Sequence, residues 1–342
     1  MKAIRFHSHG GPENLVFEDA PDPIAGQGEA LISVKAAALN RLDLWVRQGI
    51  PAYPVELPHI LGSDIAGVIE KGDQLPAGLS VGDSVIVYPG LSCGQCRACT
   101  TGFENRCAQF KLIGAHVNGG YAEKIVVPSK NLMRMPSNLD FIQAASYPLT
   151  FLTAMHMLAA RAQLKESENV LVLGAGSGIG TAAVQVARYL GGHVIAVTTN
   201  ADKVDRIKAL GADQVIVSHP QDISSKVLEA TKKNGVDVVF EHVGPATWEQ
   251  SLKSAARGGR SVTGGATTGP EVPLILRQIF SREITLLGSM LGTMAELQRV
   301  NKLVANGTLK PVVDTVYPLK DAAVAHEALL EKKHVGKLVL SI

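Results

Sequence analysis

Outside one short segment the chain has no cysteine: the four it contains are Cys93, Cys96, Cys99 and Cys107. In a chain expected in the cytoplasm, cysteines so clustered have no reason to serve as disulfides. No apolar run approaches the roughly 20 residues of a membrane span. The N-terminus, MKAIRFHSHGG, has no apolar core of signal-peptide length, and the expected location is the cytoplasm. Charge of one sign is missing as well, with 33 Lys and Arg against 31 Asp and Glu and a net charge of +2. Aromatics make up only 5%, and no dense basic run is interleaved with them, which argues against a nucleic-acid partner. There is no fixed-period repeat and no low-complexity tract. What is present is 342 residues, 46% hydrophobic and 19% charged, enough for two domains with proper cores.

The cysteines follow the pattern Cys93-x2-Cys96-x2-Cys99-x7-Cys107. Four thiolates so spaced can close a tetrahedral zinc site. An iron–sulfur cluster is the rival, but the last gap is long and Ala108, not proline, follows Cys107. A site with four protein ligands has no open position, so this one zinc ion is expected to be structural.

The chain is organised around Glu168 to Gly192, ENVLVLGAGSGIGTAAVQVARYLGG. Val170 to Leu173 read as a buried strand, and from Ile179 the apolar residues Ala183, Val186, Ala187 and Leu190 recur at helical spacing up to Gly191 and Gly192. Strand, glycine turn and helix leave free N–H groups and a positive dipole end that suit a phosphate. The strict Gly-x-Gly-x-x-Gly spacing fails, because Ile179 stands where the third glycine should be, and the residues expected to hold the cofactor are Gly174, Ala175, Ser177, Gly178, Ile179 and Gly180, with Gly176 as an extra glycine. A second strand, His193 to Thr199, supports a dinucleotide reading, with a helix expected from about Asn200 to Leu210. Where a carboxylate usually holds a free ribose 2'-hydroxyl, this chain has Thr198, Thr199 and Asn200. Lys203 is placed to pair with a 2'-phosphate, so NADP(H) is expected over NAD(H); the alternative is a solvated helix charge.

Further on, strands are expected at Gln214 to Val217, Val236 to Glu241, Arg260 to Thr263 and Ile284 to Leu287, with helices at Asp222 to Thr231 and Ala246 to Ala256. Such alternation implies a parallel sheet wound on both faces. His242-Val243-Gly244 and Gly264-Gly265-Ala266 sit just past strand ends, where ligands bind such sheets, and are expected at the nicotinamide half. Ordinary turn chemistry is the other reading. Before this unit, residues 1 to about 132 read as short strands of an irregular barrel, with a short helix over Asn40 to Gly49. Phe141 to Leu158 is apolar and helix-compatible, and the tail from Val312 returns to strand-like pieces such as Lys337 to Ser341, expected to rejoin the first domain.

With Asn40-x-x-Asp43, Gly62-Ser63-Asp64-Ile65-Ala66-Gly67, the cysteine lobe, Pro148-Leu149-Thr150, the glycine turn and Gly336-Lys337 in view, the chain resembles the medium-chain dehydrogenase/reductase superfamily over essentially its whole length. The resemblance implies an α/β protein: a GroES-like β-barrel catalytic domain over residues 1–152 and 290–342, and a doubly wound Rossmann domain over 153–289. It also implies a homodimer or homotetramer. The zinc alcohol dehydrogenases of the superfamily place a cysteine ligand where this chain has Asn40 and a histidine ligand where it has Ser63; no cysteine stands near Pro148 to Thr150 either. The pattern is instead similar to the quinone oxidoreductase branch, which works with NADPH alone and typically lacks the cysteine lobe.

Without a Lewis acid, oxidation of a simple alcohol is disfavoured, whereas hydride addition to a quinone or enone leaves charge on an oxygen that hydrogen bonds can stabilise. Asn40 is expected to position the nicotinamide or donate to that oxygen. Tyr53 and His59 are the candidate proton donors, with packing as their alternative role, and Thr150 is a nicotinamide or substrate contact by resemblance. Asp43 is expected to orient its neighbouring backbone. The expected activity is NADPH-dependent reduction of a small carbonyl, enone or quinone. An alcohol dehydrogenase with a non-standard zinc site and a non-enzymatic NADPH-binding protein remain as alternatives.

Overall fold

A computed structural model describes residues 1–342. The chain divides into two compact units, Met1–Leu149 with Thr293–Ile342, and Thr150–Gly292. No helix is long and apolar enough to cross a membrane.

The first unit is built on a seven-stranded sheet. Its central strand, Glu29–Ala38, pairs antiparallel with Asp64–Gly72, with Lys124–Pro128 and with the C-terminal strand Lys337–Ser341. The tail therefore returns to the first unit. It also carries the helix Ala322–Glu331, where strand-like pieces were expected, and the helix Met294–Ala305 precedes it. Ile32, Val34, Ile65, Val85 and Ile125 from facing strands form the barrel core. The helix Arg41–Gln48 starts where Asp43 turns its carboxylate back onto the Asn40 N–H, 2.7 Å away, and ends at Gly49, whose φ of 78° only glycine adopts without strain.

The second unit is a six-stranded, wholly parallel sheet. In spatial order its strands are Gln214–Val217, His193–Thr198, Asn169–Val172, Val236–Glu241, Ala255–Thr263 and Thr285–Gly288. The order reverses beside Asn169–Val172, so a crevice opens at the C-terminal end of that strand. The helix-compatible stretch 141–158 is helical in separate pieces: Phe141–Ala145 stops at Ser146, Pro148–Met155 starts anew with proline in its first turn, and a wider π-turn, His156–Arg161, follows. One sequence expectation needs correction. The strand expected at Arg260 to Thr263 begins earlier, at Ala255, and so shortens the preceding helix to Pro245–Ser254.

One buried group in the first unit carries a measurable pH signature. His326, on the helix Ala322–Glu331, is wholly buried and neither ring nitrogen has a partner; burial, then the Arg47 guanidinium, pushes its pKa down to about 3. The unfolded chain takes up that proton near pH 6.5, so the contribution to stability is complete above about 6.5 and is lost as the pH falls toward 3. Asp43, raised to about 6 chiefly by burial, works in the opposite sense, losing stability as the pH rises from about 4 to 6. Because Asp43 is common to both proteins, comparing wild type with His326→Leu isolates the histidine. Between pH 7 and pH 4 the variant should lose roughly 3 kcal/mol less stability than wild type. Parallel stability curves in denaturant titrations across that range would contradict this.

Candidate functional site

In the cysteine lobe, the short turns Arg97–Thr100 and Glu104–Arg106 fold the four thiols onto one point. The sulfurs lie within 4.8 Å of one another, with Cys93 to Cys99 at 3.9 Å and Cys96 to Cys99 and Cys107 to Cys93 at 3.5 Å each. Ligands held about 2.3 Å from a tetrahedral zinc stand about 3.8 Å apart, so the donor set and its size fit that ion. All four cysteines are free of disulfides. The backbone N–H groups of Gln95 and Cys96 pull the Cys93 thiol down, whereas the Cys96 thiol is pushed up beside its sulfur neighbours, so without a cation the thiols do not all ionise together. The lobe is also tied to the chain's return: Glu104 Oε1 accepts from the Met294 N–H at the start of the helix Met294–Ala305, at 2.5 Å.

Elsewhere in the first unit, register brings three strand ends together. Ala38 pairs with both Asp64 and Val339, which sets Asn40, Asp64 and Lys337 side by side. Asn40 Nδ2 donates to Asp64 Oδ2 at 2.9 Å, and Lys337 Nζ donates to Asn40 Oδ1 at 2.6 Å and to Asp64 Oδ2 at 2.9 Å. Asp64 Oδ1 accepts from the Leu149 N–H at 2.7 Å. Asn40, expected to position the nicotinamide or donate to the substrate oxygen, has both ends of its amide engaged by protein groups. Asp43 accepts at Oδ2 from the Tyr121 hydroxyl at 2.8 Å as well as from Asn40 N–H, in keeping with an orienting role.

The two proton-donor candidates differ in their surroundings. His59 is buried, its Nε2 lies 3.2 Å from the Gly114 carbonyl, and burial lowers its pKa, so it is a neutral ring held by the barrel. Tyr53 is only part-buried and packs edge-on to His116 at 5.4 Å; burial raises its pKa, which keeps the proton on the hydroxyl.

In the second unit, the glycine turn leads from Asn169–Val172 into the helix Gly178–Tyr189. Gly174 takes φ 54°, the Ser177 hydroxyl caps the Gly180 N–H at 3.1 Å, and a Cβ on Gly180 would lie 2.3 Å from the Gly174 carbonyl oxygen. Turn and helix start therefore sit closer than any side chain allows, and the first N–H groups of the helix, at Gly178 and Ile179, have no carbonyl one turn earlier to bond. The residues fit a pyrophosphate. Ala175 is pinned by its N–H to the Val197 carbonyl at 3.0 Å, beside the end of the second strand with Thr198, Thr199 and Asn200. Asn200 is a cap rather than the start of a full helix: its Oδ1 accepts from the Asp202 N–H at 2.8 Å, a 3-10 turn spans Ala201–Lys203, and the α-helix is Val204–Ala209. Lys203 is not a solvated helix charge. It is 8% exposed, and its stem covers Gly176, where an added Cβ would meet Lys203 Cδ at 2.8 Å.

The loops after the next two strands converge on the same crevice. His242 places Nε2 at 2.8 Å from the Leu173 carbonyl, and the two loops are joined through Thr268 N–H to the Val243 carbonyl at 2.8 Å; Gly265 lies close under His242 and precedes Ala266. Thr150 lies buried in the helix Pro148–Met155. Sequence reasoning missed what fixes the His242–Gly244 loop. Glu241, wholly buried, accepts from the N–H groups of Val243 at 2.7 Å and Gly244 at 3.0 Å and from the hydroxyls of Thr247 and Ser251. A carboxylate closing an apolar strand four residues before Pro245 is the signal that marks such an anchor.

Residues 26–137 match the model of the alcohol dehydrogenase GroES-like domain and residues 178–306 that of the zinc-binding dehydrogenases. The chain is 33% identical to acryloyl-coenzyme A reductase of Metallosphaera sedula over 100% of both chains. It is 30% identical to quinone oxidoreductase of Mus musculus, over 99% of this chain and 97% of that one. A solved structure titled as an NAD-dependent alcohol dehydrogenase superposes with a TM-score of 0.95 at 41% identity, over the whole of both chains.

Proposed function

The chain belongs to the medium-chain zinc alcohol dehydrogenase family, as an NAD(P)-dependent oxidoreductase with a four-cysteine site of the structural-zinc kind, and from that premise we propose that it reduces quinones or α,β-unsaturated carbonyl compounds with NADPH and without a catalytic zinc. The observation that carries the reading is the donor set of the first unit. Every cysteine is in the lobe, and the amide of Asn40 and the carboxylate of Asp64 are engaged by each other, by Lys337 and by Leu149. Amide, hydroxyl and one committed carboxylate make a poor zinc site.

NADPH, when bound, supplies the hydride. Gly174 to Gly180 would hold its pyrophosphate, and His242 to Gly244 with Gly265 and Ala266 would line the nicotinamide half, supported by the Glu241 anchor. In this reading Asn40 positions its neighbours instead of donating to substrate, Thr150 contacts nicotinamide or substrate, and Tyr53 is favoured over His59 as the proton source for the developing oxyanion because its hydroxyl stays protonated. Acceptors are small molecules. The relative named acryloyl-coenzyme A reductase makes a conjugated acyl thioester one acceptor class to try.

The test is turnover of NADPH with a 1,4-quinone, a simple enone and a conjugated acyl thioester, set against a primary alcohol with NADP+. Reduction of at least one acceptor, with alcohol oxidation far slower, is expected; the reverse order would favour a second reading, an alcohol dehydrogenase with a non-standard zinc site, which the name of the 41% identical structure supports.

The preference for NADPH rests on Lys203 and on the absence of a carboxylate at Thr198 to Asn200. Lys203→Met should weaken NADPH by about tenfold or more, the worth of one charge-assisted hydrogen bond, and leave NADH within about twofold. Equal losses for both would place the ammonium on the pyrophosphate instead.

We also propose a homodimer or homotetramer. Thr285–Gly288 is a free edge of the parallel sheet, and the nearby Leu276 and Phe280 are 68% and 71% exposed, a combination that invites pairing with a second copy. A mass of one chain in solution would contradict it.

A further inference from the structure

Resting on the reading above, we propose that Lys337 is a positioning residue for the reduction, its ammonium holding the place beside Asp64 and Asn40 that a second divalent ion would have to take. The side chain is 4% exposed and lies at the start of the C-terminal strand. Burying an ammonium is costly unless it is paired, and here it is paired twice, with Asp64, itself without exposed surface, and with the carbonyl end of Asn40.

Three consequences follow from this arrangement. The lysine sets the amide of Asn40 one way round, carbonyl toward the ammonium and Nδ2 toward the carboxylate. It neutralises Asp64, whose other oxygen receives the Leu149 N–H in the first turn of Pro148–Met155, one residue before Thr150. The cation thus steadies both Asn40 and the backbone at Leu149. Finally, a metal seeking Asp64 would have to displace an ammonium 2.9 Å from the same oxygen and make do with amide and hydroxyl donors from Asn40 and Ser63. These residues do not fit a catalytic zinc, and the lysine is a positive reason why.

The experiment uses the full chain with its lobe loaded with zinc, as wild type, Lys337→Met, Lys337→Arg and the charge-balanced double variant Asp64→Asn with Lys337→Met. Each is titrated with cobalt(II), followed by its visible absorption, and with NADPH, followed by fluorescence; kcat and KM are then measured on the acceptor that wild type turns over. Wild type should bind no second cobalt ion. Lys337→Met should lose at least tenfold in kcat with NADPH affinity within twofold of wild type, and Lys337→Arg should recover most of that loss. If the single methionine variant does not fold, the double variant should show the same loss in kcat. Uptake of a second cobalt ion by wild type, or unchanged kcat and KM in a folded Lys337→Met or double variant, would overturn the assignment. Should wild type reduce no acceptor at all, the proposed function fails, and uptake of a second cobalt ion by wild type would still overturn the place assigned to Lys337.

Discussion

Replacing Cys93 with serine is expected to lower stability by several kcal/mol, roughly 10 °C in Tm, while NADPH affinity stays within about twofold of wild type. Four thiolates within 4.8 Å repel one another, and a zinc ion among them turns that repulsion into a tie across the lobe. A serine hydroxyl neither ionises at neutral pH nor suits zinc, so the lobe loses its tie as well as a ligand. The damage should spread along one route. Glu104, inside the lobe, receives the Met294 N–H, so the start of the helix Met294–Ala305 loosens when the lobe does. The glycine turn belongs to the other unit and has its own core of Leu171, Leu173, Ile195 and Val239, which makes its ligand binding indifferent to the lobe. Thermal unfolding and a fluorescence titration on the same sample check both halves. A loss of NADPH affinity at unchanged Tm would assign the cysteines to the reaction and not to scaffolding.

Gly180→Ala should weaken NADPH by on the order of 100-fold. The added methyl would stand 2.3 Å from the Gly174 carbonyl oxygen and 2.7 Å from the Ala175 Cα, both backbone atoms that cannot rotate away. The helix must move off the turn, and its first N–H groups move with it. Losing two charge-assisted hydrogen bonds to a pyrophosphate, at about 1.5 kcal/mol each, gives about 3 kcal/mol and hence that factor. A neighbouring position supplies the control: a Cβ on Gly176 meets only the Lys203 side chain, which can move, so Gly176→Ala, measured with NADH, which does not need that ammonium, should cost much less than Gly180→Ala. Equal, small effects at both would mean that the turn does not carry the phosphates.

The fold was legible where its causes are local. Val236–Glu241 and Lys337–Ser341 were read to the residue, because short apolar-rich runs that follow a glycine need no distant information. The cysteine cluster was legible for the same reason, since its ligands lie within one short segment. Helix breaks were harder. Pro148 is tolerated in a first turn as readily as it ends a helix, so the stretch 141–158 did not show from composition alone that two helices meet there. Least legible were contacts made across the chain. Lys337 and Asp64 are 273 residues apart, and only the register of three strands makes them neighbours. The same holds for Asn40: its place in the Asn40-x-x-Asp43 pattern says nothing of the packed sheet ends that supply partners for both sides of its amide. Lys203 shows the converse, a residue that composition would leave in solvent but that the glycine turn draws under cover.

The central claim, that this oxidoreductase reduces its acceptor with the lobe as its only metal site, is tested most directly by counting metal against activity. The purified protein, equilibrated with excess zinc and desalted, is assayed by mass spectrometry for zinc per chain and, on the same fractions, for NADPH-dependent reduction of an enone or quinone. The account predicts one zinc per chain and a rate independent of any further metal added. Two zinc ions per chain, with turnover falling in step as the more weakly held one is removed, would contradict it.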